Sequence, residues 1–308
     1  MLKLEHISKS FGDKVVLKDV NISIESGEVY GLIGKNGAGK TTLMNIISCI
    51  MASDGGEVFI DDKKILTQND LSKKLCYIVD VPSGYEYLNA REYLSFIVSS
   101  QKLSKDEENK IIDFNLKLVN LQDTGKKLIK SFSRGMKQRL GIAAGLIFDP
   151  EIVMMDEPTS ALDPEGRLEV LNIIQDLKSR GKTILLSTHI LSDVERVCDK
   201  IGILSDGEII VSGKTQDIKK KYLTNTIVVE CPASENENIK SLFEGKDYIT
   251  DFKSTNIGCE ITYSGDNRYN IFKIVASNVK DIESIHIKRK SIEEIFIENT
   301  KGDLKNDK

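Results

Sequence analysis

The chain has 308 residues, 40% of them apolar, enough for one large or two moderate domains with a proper core. Its 43 Lys and Arg against 47 Asp and Glu leave a formal net charge of -4, which argues against a polyanion-binding surface, so no nucleic acid partner is expected. No run reaches the roughly 18 apolar residues of a spanning helix, the opening Met1-Leu2-Lys3-Leu4-Glu5-His6 has no apolar signal region, and five cysteines lie scattered without a C-x-x-C; together these predict a soluble, cytoplasmic chain with reduced thiols.

Residues 1–33 alternate in the manner of short strands, with turns at Phe11-Gly12-Asp13-Lys14 and Glu25-Ser26-Gly27-Glu28, and predict a small antiparallel sheet. Phe11 offers either a flat face on which an adenine ring stacks or an ordinary core aromatic. The sheet feeds an apolar strand, Val29-Tyr30-Gly31-Leu32-Ile33, then Gly34-Lys35-Asn36-Gly37-Ala38-Gly39-Lys40-Thr41-Thr42, then a helix from Leu43. Gly34 to Thr41 match G-x-x-x-x-G-K-[ST] in the strand, loop, helix order that the motif requires. The glycines let successive N–H groups converge on phosphate, and the helix aims its positive end at the same place. Lys40 is then expected on the β- and γ-phosphates of a nucleotide and the Thr41 hydroxyl on Mg²⁺.

Gly55 to Asp61 and Leu75-Cys76-Tyr77-Ile78-Val79 read as further strands, the second running into Asp80-Val81-Pro82. From Asn89 to about Asn120, apolar residues at helical spacing, among them Tyr93, Leu94, Ile111, Phe114, Leu118 and Val119, predict a helical insertion in an α/β core. Ser133 stands at the cap of another helix, in Ser131-Phe132-Ser133-Arg134-Gly135-Met136-Lys137-Gln138-Arg139. Ile152-Val153-Met154-Met155 reads as a buried parallel strand with Asp156 and Glu157 at its C-terminal end, where ligands of open α/β sheets sit. Asp156 is placed to hold Mg²⁺, directly or through water, and Glu157 to polarise an attacking water. Pro158-Thr159-Ser160-Ala161-Leu162-Asp163 follows, and the apolar strand Thr183 to Ser187 ends at Thr188-His189.

This order of motifs over residues 1–220 resembles the ATP-binding cassette ATPases, the nucleotide-binding subunits of ABC transporters. The resemblance implies a P-loop NTPase core of RecA-like type with an N-terminal antiparallel β subdomain and a helical subdomain at about residues 86–148. It implies ATP and Mg²⁺ as cofactors, with Gly34, Asn36, Gly37, Ala38, Gly39, Lys40, Thr41 and Thr42 around the triphosphate and Phe11 at the adenine-stacking position. Phe132-Ser133-Arg134-Gly135-Met136 is similar to the signature motif, keeping its serine and second glycine but not its leucine, first glycine or glutamine. Ser133 and Gly135 would complete the site of a partner cassette, Asp163 would belong to the D-loop, and His189 would be the switch histidine on the γ-phosphate. Lys137-Gln138-Arg139 resembles the exporter branch that pairs with ABC-2 type permeases. Asp80 occupies the Q-loop position in place of glutamine and is expected to keep a metal-sensing role, with added negative charge beside Asp156 and Glu157.

Residues 221–308 predict strands at Thr226 to Glu230, Tyr248 to Phe252, Gly258 to Thr262 and Ile282 to Ile287, with helices near 236–244, 267–277 and 291–299. That is a small α+β unit of β-α-β-β-α-β type with a closing helix and a charged tail, and it resembles the accessory domain of ABC-2 exporter ATPases. With one P-loop and one signature in the chain, two cassettes, as homodimer or heterodimer, are expected to pair head to tail. The resemblance implies a transmembrane permease as partner, contacted near Tyr85, Glu86 and Tyr87, and a place on the inner face of the cell membrane. The rival reading is a non-transport cassette ATPase acting on ribosomes or DNA; a single cassette and a short insertion without sustained heptads speak against it.

Overall fold

The computed structural model describes residues 1–71, 74–79, 85–101, 103–221 and 223–300. Two compact units divide the chain, Met1–Thr215 and Gln216–Lys308. Asp80 lies outside the described residues.

In the first unit, six strands form the main sheet in the order Glu208–Lys214, Lys200–Ser205, Val29–Ile33, Thr183–Thr188, Ile152–Asp156, Leu75–Ile78. Five run parallel, and the edge strand Glu208–Lys214 is antiparallel to its neighbour. Val29–Ile33 and Thr183–Thr188 are buried at every residue, as strands in the middle of a parallel sheet are. A second, antiparallel sheet takes Lys14–Ile24, Leu2–Phe11, Gly55–Ile60 and Lys63–Ile65 in that order. Gly55 to Ile65 therefore join the N-terminal sheet, a long-range pairing that local pattern does not reveal. Leu2, Leu4, Ile7, Leu17, Val20 and Ile24 from this sheet pack with Leu43, Met44 and Ile47 of the helix Lys40–Ile47 in one core.

The expected helical stretch from Asn89 to Asn120 is two helices, Ala90–Val98 and Lys105–Leu118. Each starts with a capping box, Asn89 with Glu92 and Ser104 with Glu107, so Ser104 opens a second helix in place of one continuous rod. The buried face also differs from the expected one. Val119 is buried as expected, but Ile112, Asn115 and Leu116 share its face, whereas Phe114 is 54% exposed, with Arg180 5.2 Å from its ring centroid. The helix seats its phase by one residue, because burying the aliphatic seam keeps Phe114 at the surface, where a cation covers its ring. A third helix, Arg134–Leu146, carries Arg139, whose buried guanidinium donates to the carbonyls of Val119 at 2.7 Å and Asn120 at 3.0 Å and pairs with Glu169 at 3.2 Å.

The second unit has four antiparallel strands in the order Ile249–Thr255, Gly258–Tyr263, Leu223–Glu230, Ser284–Arg289. Helices Asn236–Ser241 and Arg268–Asn278 lie between strands in the chain, and Ile292–Thr300 follows. Alternate residues Ile227, Val229, Cys231 and Cys259, Ile261, Tyr263 enter a core with Ile239, Phe243, Ile271 and Val275. Polar pairs occupy the other parity: Thr226 with Thr262 at 3.0 Å and Glu260 with Lys288 at 2.9 Å. All five cysteines are free, and burial pushes the thiols of Cys76 and Cys259 up to about 12, which keeps them protonated.

Two substitutions test these packings. Arg139→Met strands the Val119 and Asn120 carbonyls and is expected to lower unfolding free energy by roughly 2–4 kcal/mol, read from the urea midpoint. Gly258 has φ +134°, and a Cβ there would meet the Val229 carbonyl oxygen at 1.9 Å. Gly258→Ala is expected to destabilise the second unit by about 2 kcal/mol or more; an unchanged thermal transition would show that the hairpin yields freely.

Candidate functional site

The loop 34–39 leaves the C-terminal end of Val29–Ile33 and turns into Lys40–Ile47. Gly39 stands at the helix cap with φ 106°, no side chain to occupy the first N–H groups, and no acidic residue in the first turn. A Cβ at Gly39 would meet Leu17 Cδ2 at 2.8 Å. The result is a helix end whose donors and dipole are left for an anion. A cleft of about 320 Å³ opens here, lined by Asn36, Gly37, Gly39, Lys40, Thr41, Thr42, Val16 and Glu157. Gly34 and Ala38 complete the turn, with the Ala38 N–H donating to the Lys35 carbonyl at 3.2 Å.

Lys40 is buried, and its ammonium donates to the carbonyls of Gly34 at 2.7 Å and Lys35 at 3.2 Å. Its ammonium also lies 3.2 Å from Glu157 Oε1, a buried oxygen with no hydrogen-bond donor aimed at it, so this contact is an ion pair and not a directed bond. His189 Nδ1 lies 2.8 Å from the other oxygen, Glu157 Oε2. Asp156 accepts from Thr41 Oγ1 at 2.8 Å and from the Tyr77 hydroxyl at 3.3 Å on Oδ2, and from Ser187 Oγ on Oδ1. Burial, then the charge of Asp156, push the Tyr77 phenol up, so it stays a donor across the physiological range.

Structure thus gathers Lys40, Thr41, Asp156, Glu157 and His189 around one cleft. Ser133, Gly135 and Asp163 form a separate cluster and are not among the residues lining it. Ser133 caps Arg134–Leu146 by accepting from the Met136 N–H at 3.2 Å, and Asp163 caps Pro164–Ser179 by accepting from the Gly166 N–H at 3.0 Å. These two helix starts are close, since a Cβ on Gly135 would lie 3.5 Å from Gly166 Cα. Phe11 ends the first strand 48% exposed, with the Lys9 ammonium 5.5 Å from its ring centroid.

Sequence reasoning missed Tyr77, Ser187 and a buried brace behind the carboxylates. In that brace Asp193, 2% exposed, accepts from Thr159 Oγ1 at 2.5 Å and from Arg167 Nε at 2.6 Å. The Thr159 turn and the helix after His189 are tied together by this one carboxylate. The available signal was small: polar side chains interrupting apolar strand ends, as at Tyr77 and Ser187.

Residues 17–160 match the family model described as ABC transporter, and residues 213–300 match that of the C-terminal domain of DrrA1-3-like ATP-binding proteins. The uncharacterized ABC transporter ATP-binding protein YxlF of Bacillus subtilis (strain 168) is 35% identical over 251 residues, 81% of this chain and 82% of YxlF. The bacitracin transport ATP-binding protein BcrA of Bacillus licheniformis is 32% identical over 300 residues, 96% of either chain. Among solved structures, the dimeric ATP-binding cassette MJ0796 in a post-hydrolysis state with ADP and Pi has a TM-score of 0.62 at 29% identity, covering 70% of this chain and 98% of that one. The family match spans the phosphate loop and the strand that ends at Asp156, and the chain belongs to the ABC transporter family as an ATP-hydrolysing, nucleotide-binding subunit.

Proposed function

We propose that the chain powers export through a separate transmembrane permease of ABC-2 type, as one half of a cassette dimer on the inner face of the cell membrane. The observation that carries this reading is the pair Asp156 and Glu157 held beside Lys40 at an uncapped helix start. BcrA, named for bacitracin transport, and the DrrA-like C-terminal match support the exporter branch, and the dimeric MJ0796 cassette supports pairing. Residues 1–220 form the cassette, with the helical subdomain at about 86–148, and 221–308 an accessory domain with a dimerisation or regulatory role.

In this reading a triphosphate entering the loop competes for the Lys40 donors now given to Gly34 and Lys35, and the N–H groups of residues 37–42 surround it. Phe11 stacks on the adenine. Thr41 and Asp156 are hard oxygen donors that share one hydrogen bond, a set that suits Mg²⁺. The Lys40 ammonium is already paired with Glu157, and Asp156 adds a second carboxylate on Thr41, so the triphosphate is best admitted with a divalent cation that balances the charge. Mg²⁺ supplies charge neutralisation at the phosphates when bound. Asp80 would sense it from the Q-loop position. Glu157 takes a proton from the attacking water, and His189 orients Glu157 and reaches the γ-phosphate. Ser133 and Gly135 of the second cassette bring a helix start and a hydroxyl to the far side of that phosphate, beside its Asp163 turn. Closure of the dimer and its reopening after hydrolysis pass motion to the permease.

Glu157→Gln removes the base and leaves binding groups in place. Hydrolysis is expected to fall at least about a hundredfold while a Mg-ATP-dependent dimer accumulates, measured by phosphate release and by size-exclusion chromatography with light scattering. Detergent extraction of the tagged variant with Mg-ATP should recover a polytopic membrane protein in stoichiometric amount. Recovery of ribosomes or DNA without one would overturn the transport reading.

A further inference from the structure

Ser187 is fully buried and stands opposite Asp156 in parallel register, one strand over. Its hydroxyl donates to Asp156 Oδ1 and accepts from the Glu157 N–H at 3.1 Å; its own carbonyl accepts the same N–H at 3.2 Å. A hydroxyl has one proton and two lone pairs, so both bonds are made at once. Glu157 lies at φ 49°, in the left-handed region that non-glycine residues avoid. Such a conformation persists only where neighbours over-determine it. The two acceptors of Ser187 do so here. Asp156 is fixed from the other side by Thr41 and Tyr77, both on Oδ2, which leaves Oδ1 to Ser187.

We infer that Ser187 is a positioning residue for hydrolysis, the single hydroxyl that sets the Asp156 carboxylate and the Glu157 backbone relative to each other. It reaches neither water nor nucleotide, because no part of it is exposed. Its effect passes through where Glu157 aims its carboxylate, between Lys40 and His189. Displacement of a catalytic base by a fraction of an ångström lowers the rate of the chemical step while leaving phosphate contacts intact. The inference rests on the proposed roles of Asp156 and Glu157, so its test includes a control on those roles.

Ser187→Ala removes one oxygen without filling or opening the core appreciably, and Ser187→Thr keeps the hydroxyl. With the full chain, Ser187→Ala is expected to lower kcat on the order of tenfold, while KM and the affinity for a fluorescent ATP analogue stay within about twofold. Ser187→Thr should recover most of the rate, and the melting temperature of Ser187→Ala should not track the loss. Wild-type kcat in Ser187→Ala overturns the inference, as does an equal loss in kcat, nucleotide affinity and melting temperature that Ser187→Thr fails to rescue. Should Ser187→Ala not fold, Ser187→Cys, with a weaker donor of similar size, carries the same expected split between kcat and KM. Glu157→Gln run alongside separates the two readings: if it hydrolyses at the wild-type rate the carboxylate roles themselves fail, whereas if it is inactive and Ser187→Ala is normal only Ser187 is wrong.

Discussion

Parallel pairing puts Ile33 opposite Thr188 and Asp156 opposite Ser187, so three neighbouring strands end in one row. Each strand then hands its next residues to the same small volume: the loop to Lys40 and Thr41 from the first, Glu157 from the second, His189 from the third. Strand side chains alternate faces, so a slip of one residue between Ile152–Asp156 and Thr183–Thr188 would turn Asp156 and Ser187 away from each other. Burial of every residue of Val29–Ile33 and Thr183–Thr188 does not fix that register by itself, because both faces of each strand are equally buried. Polar groups at the strand ends do. Hydrogen bonds of Ser187 to Asp156 and of the Glu157 N–H to Ser187 exist in one register only, and the same contacts that align the sheet align the chemistry.

Much of this was legible because short segments carry their own conformation. Gly34 to Thr41 between an apolar strand and a helix specify a phosphate loop locally, and Ile152 to Glu157 specify a strand with its acids at the end. Ser133 also announced a helix start that the structure contains, whereas the cap that Asp163 forms on Pro164–Ser179 was not read from the sequence. The order of strands and helices in the second unit followed from pattern, and the structure adds the parity that sends Ile227, Val229 and Ile261 inward. What could not be read depends on which distant segments become neighbours. Tyr77 and Asp156 are 79 residues apart, and Thr159 and Asp193 are 34 apart; neither pair has a local signature. The phase of Lys105–Leu118 escaped for a different reason. It buries Asn115, whose amide donates to the Ile111 carbonyl at 2.9 Å, and leaves a phenylalanine outside, the reverse of what a hydrophobic pattern counts.

The Phe132 to Met136 stretch departs from the family's usual signature in three of five positions, and the structure shows what those departures touch. Its cap uses the Ser133 hydroxyl and the Met136 backbone N–H, so residue 136 contributes no side chain to that bond. Phe132 is buried, with the Lys127 ammonium 5.9 Å from its ring centroid, and so serves as the apolar anchor that a leucine would be. Gly135 is retained where another helix start passes close to its Cα. The helix start therefore keeps a hydroxyl and a close backbone at the positive end of its dipole, although the side chains around them have changed. What this stretch retains is the capped helix start and not the letters around it, because the backbone geometry is what presents the dipole.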